Sequence, residues 1–351
     1  MTAPERRVLG CGGRAPGRLR SVGAAVAAGA CLALAGCAPA LPEPHPAAVA
    51  AVPPPALTIA QTDRLLGAIG ARLTAADTAL SAACLDARLS GPALASRTAE
   101  YAATSATAGA KGLTALQLNA QALVVPSTQE WPRTEFVVTE QPDDLTSPRL
   151  LVLQQASPRS EYTMWGWARL LPGVKMPATA TPTIGSSPLP ADAAGLIASP
   201  SDVVAHYADV LLNGDASAYA STFAAPDTYR ASITGGRAPL AQVAAQANGT
   251  FTETYTPTPD QTYALSTADG GALVVTAMST ASALTITGAS LRLPAELAAV
   301  SGGALAPDAE LRNALNVTYA DVVAFYVPPA GSKTLIQVLG AEHIRTSVTG
   351  S

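Results

Sequence analysis

The order of elements along the chain predicts an α+β protein. Two stretches of helical periodicity each precede a series of short apolar runs that alternate as strands do. Pro-, Asp- and Gly-containing turns separate those runs. A segment thinned to Pro, Thr, Ser and Ala (172–199) divides the two series. The expectation is therefore two tandem domains, 58–173 and 199–351, joined by a linker over 174–198. Each would carry N-terminal helices packed on one face of a curved antiparallel sheet.

The N-terminus is an address. Residues 1–20 are basic, and 22–35 (VGAAVAAGACLALA) form an apolar run too short to span a bilayer stably. This is the layout of a secretory signal, here 1–36. Leu34, Ala35, Gly36 and Cys37 resemble the bacterial lipobox. That resemblance implies cleavage before Cys37, a diacylglyceryl group on its thiol and an acyl group on its new amine. The alternative is a plain secretory signal cut nearby, with Cys37 incidental. Two acyl chains hold a protein on a membrane, where one binds marginally. Arg6-Arg7 leaves open whether export is general or twin-arginine.

Residues 37–57 form a spacer. Pro at 39, 42, 44, 46, 53, 54 and 55 favours extended polyproline II. At about 3.1 Å per residue the tract reaches roughly 60 Å. With Cys11 and Cys31 removed and Cys37 acylated, only Cys84 remains, so no intrachain disulfide is available. Cys84 lies in a helical apolar context (LSAACLDARL) and reads as a buried thiol.

Thr58 and Gln61 make a T-x-x-Q capping box for a first helix. Its apolar positions are Leu65, Leu66, Ile69, Leu73, Ala76 and Leu80. Gly91-Pro92 interrupts, and 93–104 reads as a second helix. Strands follow at 134–140 (TEFVVTE), 149–155 (RLLVLQQ) and 162–171 (YTMWGWARLL). In the second half, Ser199 caps a helix with Pro200 at its first turn and apolar positions Val203, Val204, Tyr207, Val210 and Leu211. Asn213-Gly214 ends it, and Asp215 begins a second helix through Tyr219 and Phe223. A third helical piece (239–247) precedes strands at 250–256, 271–279, 283–293, 317–328 and 334–345. The repeated order suggests an internal duplication.

Composition excludes several functions. The chain is 48% hydrophobic and 13% charged, with no basic block after residue 20. A nucleic-acid partner is not expected, because such binders need clustered Lys and Arg. Five of the 21 Lys and Arg and one of the 25 Asp and Glu precede Cys37. The segment from Cys37 onward therefore holds 16 basic and 24 acidic residues, a net charge of −8. That balance suits a solvated body outside the cell.

Chemistry-bearing motifs are sparse. No HxxxH, HExxH, CxxC, acidic calcium loop, G-x-S-x-G or phosphate-binding Gly loop occurs, so no metal, cofactor or catalytic residue is expected. His45 falls in the spacer, and His343 follows Glu342. His206 and Asp209 stand at i, i+3 on one helix face. They make either a weak ion pair or an acid–base pair beside a pocket. Strand alternation puts Trp165 and Trp167 on one face with Gly166 opposite. Those rings fill a core, meet a partner or domain, or line an apolar pocket.

The stretch VVAHYADVLLNGDASAYASTFA (203–224) and its following strands look like the nuclear-transport-factor-2/SnoaL-like (NTF2-like) superfamily. The first half resembles it more weakly. Taken whole, the chain is similar to a type of actinobacterial lipoprotein carrying such cystatin-like α+β domains. The likeness lies in 130–140, 149–173, 203–215 and 321–332. It implies fold and location and brings no activity.

The expected function is a lipid-anchored, extracytoplasmic interaction or accessory module of the cell envelope, not an enzyme. Its expected partners are the membrane, through Cys37, and an envelope protein. One alternative is a carrier or sensor of a small apolar ligand, with Trp165, Trp167, Tyr207 and Phe223 lining the pocket. A further alternative is a SnoaL-like pocket enzyme using His206 and Asp209.

Overall fold

The structure is a computed structural model that describes residues 52–351 apart from Cys84, Asp144, Pro226 and Ala247. The expected signal, the lipobox (Leu34, Ala35, Gly36), Cys37 and most of the spacer lie outside the described residues, as does Cys84.

Two helices open the described chain, α1 (Ile59–Ala79) and α2 (Gly91–Ala106). The capping box forms at α1: Gln61 N–H donates to Thr58 Oγ1 (3.3 Å), and Thr58 N–H donates to Gln61 Oε1 (2.8 Å). Leu66, Ile69, Leu73 and Ala76 then turn inward. Burying such a Leu or Ile side chain contributes about 1.5–3 kcal/mol. Four strands follow, β1 (Ala120–Val124), β2 (Arg133–Thr139), β3 (Arg149–Gln155) and β4 (Thr163–Leu170). They pair in chain order as an antiparallel meander.

After a two-residue strand, β5 (Pro188–Leu189), the order of helices then strands recurs. Helix α3 (Pro200–Asn213) is capped by Ser199, whose Oγ accepts from Asp202 N–H at 3.1 Å. Where a further helix from Asp215 is expected, the chain makes two 3-10 turns, Gly214–Ala216 and Ala220–Thr222. Helix α4 (Thr228–Gln246) starts well before the expected 239–247, in spite of Gly235, Gly236 and Pro239 inside it. Long strands β6 (Phe251–Ser266) and β7 (Ala272–Thr285) come next. The run expected as a strand at 271–279 thus continues into the start of the one expected at 283–293, of which only 283–285 lie in β7 and Leu291–Arg292 form a separate short strand. An excursion of β8 (Leu291–Arg292), α5 (Ala295–Ala299) and β9 (Glu310–Leu311) leads to β10 (Ala314–Val327) and β11 (Gln337–Gly350).

The two meanders do not form two sheets. They join in one nine-stranded antiparallel sheet of order β1-β2-β3-β4-β11-β10-β7-β6-β5. The seam is short, Gly340 against Leu170 and Ala341 against Arg169, and it unites the last strand of each meander. One sheet face carries the helices. Beneath α1 and α2 lie Val137, Leu151, Leu153, Met164 and Trp167. Beneath α3 lie Val274, Val323, Phe325 and Val338, with Tyr207 and Phe223 above them.

The other face curls onto itself. Phe136, Val152 and Trp165 from the first meander share one core with Leu273, Val275 and Ala324 from the second. Trp165 on β4 meets Tyr263 on β6 edge-on at 4.9 Å, although three strands separate β4 from β6 within the sheet. This shared core explains why β3 reads as a continuous apolar run: both of its faces are covered.

The segment expected as a free linker is paired to both halves. Ser186 N–H donates to Val125 O (2.8 Å), and Ser127 N–H donates to Ser186 O (2.9 Å), just beyond β1. On the other side Ser266 N–H donates to Ser187 O (2.9 Å), and β5 pairs with β6. Residues 185–189 therefore staple one edge of the curled sheet to the other. Gly185 makes the approach possible. It has φ +82°, and a Cβ there would stand 3.0 Å from Ser127 Cβ and 3.2 Å from Val125 O. Proline spacing and low aromatic content mark this segment as irregular, but irregular backbone can still supply edge hydrogen bonds. The spacer's end is also tied down, since Ala56 N–H donates to Pro126 O at 2.8 Å.

Candidate functional site: a polar groove under α4

Helix α4 lies over the helix-bearing face of the second meander. Tyr229, Ile233 and Arg237 recur every four residues, which puts them on one side of the helix. Below them the sheet presents Glu253 and Tyr255 on β6, Thr280 on β7, Tyr319 and Asp321 on β10, and His343 and Arg345 on β11. The register brings these residues together, pairing Tyr255 with Thr280, Thr280 with Tyr319, Tyr319 with Arg345 and Asp321 with His343. Between α2, the 111–114 loop, α4, α5 and this face lies a groove of about 580 Å³. That volume suits a small-molecule ligand.

Asp321 sits behind His343, which lines the groove, and is fully buried. Thr280 Oγ1 donates to its Oδ2 at 2.6 Å, and Tyr229 OH donates to its Oδ1 at 3.3 Å. His343 Nδ1 donates to the same Oδ1. Donors on both oxygens are what a carboxylate removed from water requires. The imidazole keeps 27% side-chain exposure, lines the groove and stacks on Tyr319 with centroids 4.0 Å apart. With Nδ1 turned to Asp321, Nε2 is the ring nitrogen left for a ligand.

Three ion pairs frame the groove. Arg237 Nε holds Glu253 Oε2 at 2.9 Å, and its Nη2 donates to Tyr255 OH and Leu211 O, both at 2.8 Å. Arg149 Nη1 holds Glu342 Oε2 at 2.6 Å. Burial pushes the Glu342 carboxyl above the usual range, against the lowering pull of Arg149 and Arg169. Arg97 Nη1 holds Glu100 Oε2 at 2.9 Å and also donates to Thr114 O. Among the described residues, no group of three or more His, Cys, Asp or Glu is placed to hold a metal ion. No described helix is long and apolar enough to cross a membrane.

The residues singled out from sequence lie elsewhere. Trp165 and Trp167 do not share a face. The β3–β4 register runs Leu151 to Trp167 and Val152 to Gly166, then jumps to Leu153 with Met164. Trp165 is the extra residue of a β-bulge, and the bulge reverses its facing. Trp167 packs under α1 and α2, whereas Trp165 enters the shared core. Both are nearly fully buried and fill cores instead of lining an open pocket.

Tyr207 and Phe223 are buried beside Phe325, with centroids 5.1 Å (Tyr207–Phe325) and 6.4 Å (Phe223–Phe325) apart. The four rings expected to line an apolar pocket thus lie in three separate cores and share no cavity. His206 and Asp209 are not brought together. His206 stacks on Tyr219 at 3.7 Å, and Asp209 accepts from Asn213 Nδ2 (2.7 Å) and Ser217 Oγ. Asp209 thus secures the turns after α3.

Asp321 and His343 escape a motif search because no fixed spacing links two neighbouring strands. One signal exists in sequence. In VTYADVVAFYV, Asp321 occupies the same alternation register as Val323, Phe325 and Val327, so a carboxylate stands where the core faces.

Fold and site define an α+β protein with a curled antiparallel sheet and a polar, ion-paired groove under one helix. The chain matches the family described as Domain of unknown function (DUF8094) over residues 53–350, and it belongs to that family. No curated protein and no solved structure matches the chain.

Proposed function

We propose that the protein is a lipid-anchored, extracytoplasmic binding module of the cell envelope, and that the groove under α4 is where it binds. The groove carries this reading: an opening of about 580 Å³ combines polar groups already locked in place with an apolar lining from Leu113, Ile233, Leu240 and Val300. Such pre-organisation lowers the ordering cost of binding. The lipobox-like tetrad ending at Cys37 supports the anchor, and the Pro-rich tract supports a body held away from the lipid. The two meanders, each preceded by helices, support descent from two NTF2-like modules fused along their last strands.

Two measurements test this. Replacing Cys37 with Ala should move the protein from the membrane to the soluble fraction; retention in the membrane would contradict the anchor. Native mass spectrometry of the full chain in mild detergent should show a bound species that Gly236→Phe removes. Gly236 lines the groove, and a Cβ there meets nothing within 4 Å. Bare spectra for both proteins would count against a binding groove.

The Asp321–His343 pair favours a second reading. An imidazole held at Nδ1 by a buried carboxylate can act at Nε2 as a general base, which is the chemistry of a SnoaL-like pocket enzyme. Turnover of a groove ligand that His343→Gln abolishes, with binding retained, would select this reading over simple binding.

A further inference from the structure

The charges lining the groove are unequally matched. Glu100, Glu253 and Glu342 each hold an arginine. Arg345 also lines the groove, and it has no carboxylate. Among the described residues its guanidinium makes no hydrogen bond or ion pair, and its Nε is buried without a partner. It lies over the Tyr319 ring, 5.7 Å from the centroid. What points to a ligand is that this guanidinium lines the groove with no acceptor of its own among the described residues, since a cation so placed favours a charge-assisted partner. Among the described residues, Lys111 on the rim is a second lining cation whose side chain has no partner, and Glu296 is the lining carboxylate without one.

We infer that the groove selects a small amphipathic monocarboxylate, whose charged end meets Arg345 and Lys111 and whose apolar body lies against Ile233 and Leu240. The inference rests on the groove being a ligand site. Outside the three ion pairs, the described lining residues present two cations, Arg345 and Lys111, against one carboxylate, Glu296, an excess that favours one anionic group on the ligand. A dianion such as a phosphate monoester would bring a second charge to a lining that already holds Glu100, Glu253, Glu296 and Glu342. The planar guanidinium fork fits a carboxylate through two parallel N–H donors. His343 and Tyr319 belong to the same lining.

The test is isothermal titration of the full chain in mild detergent with phenylacetate, phenethyl alcohol, phenethylamine and phenyl phosphate. Phenylacetate should bind at least about ten-fold more tightly than the alcohol, as a charge-assisted pair requires. Arg345→Gln should erase that preference, and Lys111→Gln, at an exposed position, should weaken it. Gly236→Phe should block all binding. The wild-type ranking stands as a test even if Arg345→Gln does not fold. Equal or tighter binding of the alcohol, the amine or phenyl phosphate would overturn the inference while leaving a ligand groove. Binding by none of the four would overturn the inference and count against the groove as a ligand site.

Discussion

Glu135 on β2 and Asp321 on β10 are both fully buried carboxyl groups, one in each meander. Their surroundings differ sharply. Asp321 accepts from Thr280, Tyr229 and His343. Among the described residues Glu135 accepts only from Thr62 (2.9 Å), and its Oε2 has no partner there. Burial pushes the Glu135 carboxyl up to about 7, partly offset by the Thr62 bond. The difference follows position. Asp321 lies behind a histidine that opens onto a groove, and its donors keep it fixed there. Glu135 is sealed beneath α1, where a neutral acid is the less costly state.

The largest expected effect is at Asp321. Truncation to Ala would leave the Thr280 and Tyr229 hydroxyls buried without their acceptor and remove the partner of His343. Urea unfolding should show a loss of about 3–5 kcal/mol. A loss below about 1 kcal/mol would mean that the donors re-pair, and the contrast between the two acids would collapse.

Glu135 comes next. Its ordinary value is 4.5 and its folded value about 7. Between those values the unfolded chain has released its proton and the folded chain keeps it. Stability therefore falls as pH rises through this window, and the full loss, roughly 3 kcal/mol, is reached above it. Glu135→Gln should flatten the dependence and be the more stable protein at pH above 7. Parallel slopes for the two proteins in denaturant titrations across the window would show that Glu135 does not titrate there.

The smallest effects sharpen the contrast. Thr280→Val removes one of the three donors to Asp321 found among the described residues and should cost about 1 kcal/mol. Thr62→Val removes the one donor to Glu135 among the described residues and should move its titration further upward, which a shifted denaturant midpoint against pH would register. A denaturant midpoint whose pH profile Thr62→Val leaves unmoved would show that this bond does not act on the Glu135 charge.

Much of the fold is legible in the chain because periodicity and capping are local. The capping box at Thr58, the Ser199-Pro200 start and the runs at 134–140 and 149–155 all appear as elements near those positions. What stays hidden is non-local. The bulge at Trp165 depends on how β4 registers with β3, and it reverses the facing that simple alternation assigns. The pairing of Ser186 with Val125 and Ser127 depends on the sheet curling, which no stretch of sequence encodes alone. The same holds for the site: Asp321 and His343 are twenty-two positions apart and meet only through strand register.

The seam between β4 and β11 also orders events in time. β4 is complete by Leu170, but its neighbour in the sheet starts at Gln337. Throughout synthesis of the intervening chain, the first meander has an open edge of unpaired amides and carbonyls. Such an edge is a template for association with other chains. The shared core beneath Trp165 is likewise incomplete until the second meander arrives. Folding of this protein is therefore concluded from its C-terminal end, by the last strand closing an edge left waiting by the first half.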